Sequence, residues 1–355
     1  MRTLLPAITL ALSLFLAQAS TSSGATSWHT FTNKKGQSFE GSVIEVDTVL
    51  EQATVVVKST GRNSTIDFNI LSDADIDYLL GWTPGATEPG AGEEAVPEQD
   101  LGTASGRLYP HTKKEIREKL AEILKRKPPE GIESKQQETV NLLNAYRYLC
   151  GVEPNAVADK KKVQEAHQAA AACQKHGGLS HSIGSYTNKC NLHSGGNMTS
   201  SVRGYINDGG ANNREKRGHR RWCLNPKMVK TGFGDAGRYS AMWALDSSGA
   251  ASKENYAYPG AGYFPKDYLH GNGWSFYSTG GVPSADKLEV EVFKLTRRPE
   301  KKFGITSDIP GRKVKVGYVH SYANVVNFEP DRETVSKGGI FWVKLRGGGL
   351  REAYL

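Results

Sequence analysis

The sequence predicts a multidomain α+β protein, with a small β-barrel in front, a helix-rich middle and an antiparallel β-sandwich at the end. Three observations predict it. Residues 27–82 hold short apolar strand patterns split by turn clusters. Residues 112–175 repeat their apolar positions every three or four residues, the helical period. From about 286 onward the period falls to two, as a half-buried strand requires.

The elements follow in order. Arg2, the apolar stretch Leu4 to Ala17 and the small-x-small site Ala17-Gln18-Ala19 have the layout of a secretory signal peptide over 1–19. The stretch is too short for a convincing membrane span. The expected mature chain is therefore secreted or periplasmic, with no transmembrane anchor after cleavage. Outside the cytosol the even set Cys150, Cys173, Cys190 and Cys223 favours two disulfides. Three connectivities are open, with Cys150–Cys173 and Cys190–Cys223 favoured. A cysteine zinc site is disfavoured, because no C-x-x-C pair occurs.

Of the 355 residues 38% are apolar, and the formal net charge is +8, which excludes a disordered chain, a collagen-like repeat and a multi-span membrane protein. The positive balance sits in short runs: Lys160 to Lys162, Arg214 to Arg221, Arg297 to Lys302 and Arg312 to Lys315. Such runs either attract an anionic wall polymer or acidic headgroups, or are simply solvated surface. No nucleic-acid-binding motif accompanies them, so nucleic acid is not an expected partner.

Within 27–82, Phe39, Val43 and Val46, then Val55 and Val57, then Ile66, Phe68 and Ile70 mark strands, and Ser72 is a helix N-cap for a turn ending near Leu80. Trp28, the Phe39-x-Gly41 step and the ending Leu71-Ser72-x-x-Asp75-x-x-Tyr78-Leu79 resemble the SLA-type homology domain. That resemblance covers about a sixth of the chain. It implies an SH3-like fold with a protein or peptide ligand, and adaptor roles such as cytoskeletal or ubiquitin contacts and self-association.

Residues 83–108 carry prolines, glycines and an acidic cluster, and read as a disordered linker. Ile116, Leu120, Ile123 and Leu124 then mark an amphipathic helix over 112–127. A second helix is expected to start with Ser134 as N-cap and Gln137 closing a capping box, with Val140, Leu143, Tyr146 and Cys150 on its apolar face. A third covers about 161–175. Met242 to Leu245 reads as a buried strand, and Tyr258 to Pro265 with Gly273 to Phe276 as an aromatic covering loop. In 286–355, Leu288, Val290 and Val292, then Val314, Val316 and Tyr318, then Ile340 and Trp342 alternate with polar residues, which suggests an immunoglobulin-like module.

A series of motifs orders the middle. Leu143-Asn144-Ala145-Tyr146-Arg147 is followed by Leu179-Ser180-His181, Gly195-Gly196-Asn197, Tyr205-Ile206-Asn207-Asp208, Gly218-His219 and Thr231-Gly232-Phe233-Gly234. This order resembles the CAP superfamily of cysteine-rich secretory, antigen-five and pathogenesis-related proteins, over residues 134–285. The resemblance implies an α-β-α sandwich and a cleft where two histidines and two acids converge, some members binding zinc there. By motif those positions are His181, Gly196, Asp208 and His219. Gly196 has no ligand where the family pattern has glutamate, and Asp208 is one methylene short, so the implied cofactor is at most a weakly held zinc ion. His193, three residues before Gly196, is the candidate to fill the gap. No G-x-S-x-G elbow or H-E-x-x-H helix occurs, so no catalytic residue is assigned. The expected function is an exported binding or adaptor protein. The alternative is a secreted peptidase or wall-polymer hydrolase using the same cleft, with Asp208 and His219 as its base pair.

Overall fold

The computed structural model describes residues 28–47, 52–82, 111–210, 213–271, 273–296, 299, 311–347 and 350–354. The expected signal peptide and the expected linker lie outside them. The chain divides into two compact units, parting at Gln99/Asp100.

The small unit has strands β1 (His29–Thr32), β2 (Ser38–Asp47), β3 (Gln52–Val57) and β4 (Arg62–Asp67), then helix α1 (Asp73–Gly81). The strands pair in chain order as an antiparallel meander. The expected barrel does not close: among the described residues the strand order leaves β1 and β4 as the two edges, and the isolated bridge Asn33–Leu71 links the segments that follow them. Phe31, Val43, Ala53, Val55 and Ile66 from the sheet, with Phe68, Leu71 and Leu79, form its core. Ser72 caps α1 as expected, its hydroxyl accepting from the Asp75 N–H.

The large unit begins with α2 (Lys113–Leu124) and α3 (Ser134–Leu149). Thr112 and Glu115 make a complete capping box at α2. At α3 the sequence expectation is off by one: Glu133 occupies the cap position without a side-chain bond, and Gln137 instead donates to Asn141. Next come β5 (Val157–Ala158), α4 (Lys160–His176), β6 (Cys190–Ser194), α5 (Met198–Asn207), α6 (Gly218–Cys223), β7 (Lys230–Thr231), β8 (Phe233–Ala236) and β9 (Tyr239–Trp243). Strands β6, β9 and β8 make an antiparallel sheet in that order. Alternation along β9 builds three layers. Tyr239, Ala241 and Trp243 face the alanines of α4, while Met242 faces the core shared by α3 and α5. The Thr231-Gly232-Phe233-Gly234 motif permits the close approach of α4. A Cβ on Gly232 or Gly234 would lie 2.3 or 2.2 Å from a backbone nitrogen of that helix.

The remaining strands are β10 (Tyr256–Tyr258), β11 (Trp274–Tyr277), β12 (Glu289–Leu295), β13 (Gly311–Val314), β14 (Val316–Tyr322), β15 (Val325–Pro330), β16 (Ile340–Gly347) and β17 (Leu350–Tyr354), with α7 (Arg332–Ser336) between the third-last and second-last. They form two antiparallel sheets, ordered β10-β11-β15-β14 and β13-β12-β16-β17. Trp274, Phe276, Val326 and Phe328 of the first meet Val292, Val314, Val343 and Leu345 of the second. The opposite side of the first sheet, with Tyr256, Tyr258, Tyr277 and Val325, belongs to the core of α3 and α5. The boundary expected at 285 is therefore not a break. Residues read as a covering loop supply two strands to the terminal sheets, and one sheet serves two cores.

Limited proteolysis of the full chain should cut between about residues 83 and 106 and leave two stable fragments, one for each unit. A first cut within 111–354 would contradict the division.

Candidate functional site

The site is built where α5 ends and α6 begins. Asp208 closes α5 in the left-handed region, with φ 44°, a conformation that aspartate tolerates better than most residues. Its side chain is fully buried. One carboxylate oxygen accepts from His219 Nδ1 at 2.8 Å, and the other accepts the His219 N–H at 2.9 Å and, more distantly, the Arg220 N–H. Asp208 thus caps α6 from outside the helix, where the cap residue Arg217 makes no side-chain bond to the first turn. With its Nδ1 on the carboxylate, the His219 ring keeps its Nε2 as the basic nitrogen. The ring is 24% exposed.

A second imidazole stands nearby. His193 on β6 and His219 flank the Tyr205 ring, with centroids 5.9 and 5.6 Å from it. Burial first, and then the neighbouring His219, push His193 below its ordinary pKa. Its Nδ1 is buried without a partner. Gly204 makes room for it: a Cβ there would lie 2.6 Å from His193 Nε2. Gly196 is close by, and a side chain there would collide with the Ser200 hydroxyl, which caps α5 together with Asn197. A larger side chain at position 196 and the capping box are therefore alternatives for one space.

The expected grouping of His181, Asp208 and His219 is only partly formed. His181 is exposed in the loop after α4, its Nδ1 bonded to the Thr187 carbonyl at 2.7 Å. Among the described residues no three His, Cys, Asp or Glu side chains are grouped to hold a metal ion. The chemistry of the donor set agrees, since both oxygens of Asp208 are engaged by N–H donors and Gly196 offers none. A tight zinc site does not fit these residues.

The cysteines also depart from expectation. All four are buried free thiols. Cys150 and Cys223 lie in the α3/α5 core, and Cys173 and Cys190 lie between α4 and the sheet, so the favoured pairing would have to join two separate clusters. Burial pushes the Cys190 thiol up to about 12, and raises the other three as well, which removes them as nucleophiles.

Several motif residues prove architectural. Asn144 bonds both the N–H and the carbonyl of Ala156. Arg147, fully buried, donates to the carbonyls of Glu153, Cys223 and Asn225 and to the Asn155 side chain. Arg220, equally buried, ties Ile206 and Asn207 to Gly273 and Ser275 and lies 4.1 Å over the Tyr258 ring. The L-N-x-x-R and G-H-R sequences thus hold loops in place. Arg217 and Arg220 went unrecognised inside a basic run because their neighbours Lys216 and Arg221 carry the same charge at the surface. No helix among the described residues is long and apolar enough to cross a membrane. Compared with known proteins, the chain matches no protein-family model, no curated protein and no solved structure.

Proposed function

We propose that the chain is an exported binding or adaptor protein, with a CAP-like central region and an SLA-like small unit that takes a protein or peptide ligand. The observation that carries this reading is the commitment of Asp208. A carboxylate that accepts three N–H groups and caps a helix serves as scaffold, and it leaves His219 as a fixed polar contact at a partly open surface. The secreted or periplasmic placement rests on the signal-like first 19 residues.

One observation favours the hydrolase alternative. Asp208 orients His219 as a buried aspartate orients a general base, with Nε2 free to take a proton. The test is direct. Purified protein is assayed against peptide and wall-polymer substrates, with and without zinc, alongside His219→Ala. We expect no hydrolysis attributable to the dyad. Zinc binding should be no tighter than about the micromolar range. A hydrolytic activity abolished by His219→Ala, with the fold intact by circular dichroism, would replace the binding reading with the enzyme one.

A further inference from the structure

Two basic runs about a hundred residues apart in sequence meet along β14. This strand is the outer member of its sheet, and Tyr318, His320 and Tyr322 are alternate residues on one side of it. The Arg214 guanidinium lies 4.0 Å over Tyr318, whose ring stacks on His320 at 6.2 Å. Lys216 and Arg221 lie 5.1 and 5.3 Å over Tyr322. Toward the start of the strand, Arg214, Lys315 and Arg332 line a pocket of about 290 Å³ that also holds Glu329 and Asp331. The acids there are engaged. Glu329 pairs with Arg214 at 2.7 Å and Arg217 at 2.6 Å, and Asp331 accepts the N–H and hydroxyl of Thr334 to cap α7. Glu215 adds a further negative charge near Tyr318. Among the described residues Lys216, Arg221, Lys315 and Arg332 stand outside any ion pair.

We propose that this strip binds an acidic polysaccharide, a chain of sugars bearing carboxylates at regular intervals. Cations held over aromatic rings keep their charge forward and lose little side-chain freedom on binding. The rings that carry them, Tyr318 and Tyr322, stand four residues apart on one strand, about 13 Å, which sets the cations in a row along an extended polyanion. Single-stranded nucleic acid needs open aromatic faces for its bases. Here cations and His320 cover the faces, so charge is what the strip offers. The choice of a wall-type polymer rests on the exported binding function proposed above.

The test uses the full chain with immobilised polygalacturonate at about 50 mM salt, with neutral dextran and single-stranded DNA alongside. The intact protein should bind polygalacturonate and not dextran. The exposed-cation variant Lys216→Ala/Lys315→Ala/Arg332→Ala should bind it about tenfold more weakly. A matched loss of charge elsewhere, Lys34→Ala/Lys35→Ala/Lys114→Ala, should change binding less than about twofold. Equal weakening by both triples, no retention on polygalacturonate, or tighter binding of DNA that the strip variant loses would each overturn the proposal. N-terminal sequencing of the protein recovered outside the cell tests export separately. Recovery of the protein only inside the cell, with Met1 intact, would defeat the exported reading and leave the measured affinity standing.

Discussion

Arg220→Ala should lower the stability of the large unit by about 4 kcal/mol, far beyond the effect of an ordinary surface change. Arg220 is completely buried, and its donors reach the Ile206 carbonyl at 2.5 Å, the Gly273 carbonyl at 2.7 Å, the Ser275 hydroxyl at 2.8 Å and the Asn207 carbonyl at 2.9 Å. Alanine would leave the Ile206 and Gly273 carbonyls without these donors inside the protein and open a cavity against Tyr258. The damage spreads because the four acceptors belong to different elements: the last turn of α5, and the start of β11. Arg220→Lys should recover little, since one ammonium cannot reproduce a planar fork. Arg346→Ala, which removes a two-pronged pair with Glu289 at the surface, is the control and should cost far less. Urea unfolding of the full chain, followed by circular dichroism, reads the difference. A midpoint for Arg220→Ala close to that of Arg346→Ala would mean that the core tolerates the loss.

The same arginine shows where the sequence stops being legible. Local signals read well: Ser72 as a cap, the 116/120/123 stripe of α2 and the alternation of β12 all depend on residues a few positions apart. Pairings over long range do not. Val314, Val316 and Tyr318 alternate as if in one strand, yet Val314 pairs with Val292 in one sheet and Val316 with Pro330 in the other. Alternation reports which residues are half-buried, and it is silent on the neighbour. Tyr256–Tyr258 and Trp274–Tyr277 are short, and the turn formers around them dominate the local pattern, so their place in the terminal sheet is hidden. For the site, Asp208 and His219 are eleven residues apart and carry recognisable motifs, and they do meet. His181 depends on the path of the thirteen-residue segment between α4 and β6, and no periodicity governs that path.

Asp75→Ala should unfold the small unit at neutral pH while leaving the large unit intact. Asp75 is 4% exposed, and its carboxylate accepts from the Ser72 hydroxyl at 2.6 Å, His29 Nε2 at 2.7 Å and the Thr32 N–H at 2.8 Å. The bonds from His29 and Thr32 fasten α1 to β1, the edge strand that otherwise has one neighbour, and the bond from Ser72 closes the cap of α1. His29 is held in turn by the Tyr78 ring, stacked at 3.6 Å. A unit of this size has only a few kcal/mol of stability in total. Losing three bonds to one charged acceptor costs about 2–4 kcal/mol, enough to exhaust it. The pH dependence follows from the same contacts. Burial by itself would raise the Asp75 carboxyl, but Ser72, Thr32 and His29 together outweigh it and hold the carboxyl below its ordinary value. A group depressed on folding contributes stability above its unfolded pKa, about 3.9, and the contribution disappears as the pH falls through the folded value. The small unit should therefore weaken on acidification below about pH 4, and Asp75→Asn should weaken it at neutral pH and flatten that acid response. Thermal melts at pH 7, 5 and 3, read at the two units' separate transitions, check both statements. A small-unit transition unchanged in Asp75→Ala would show that the sheet holds α1 without the carboxylate.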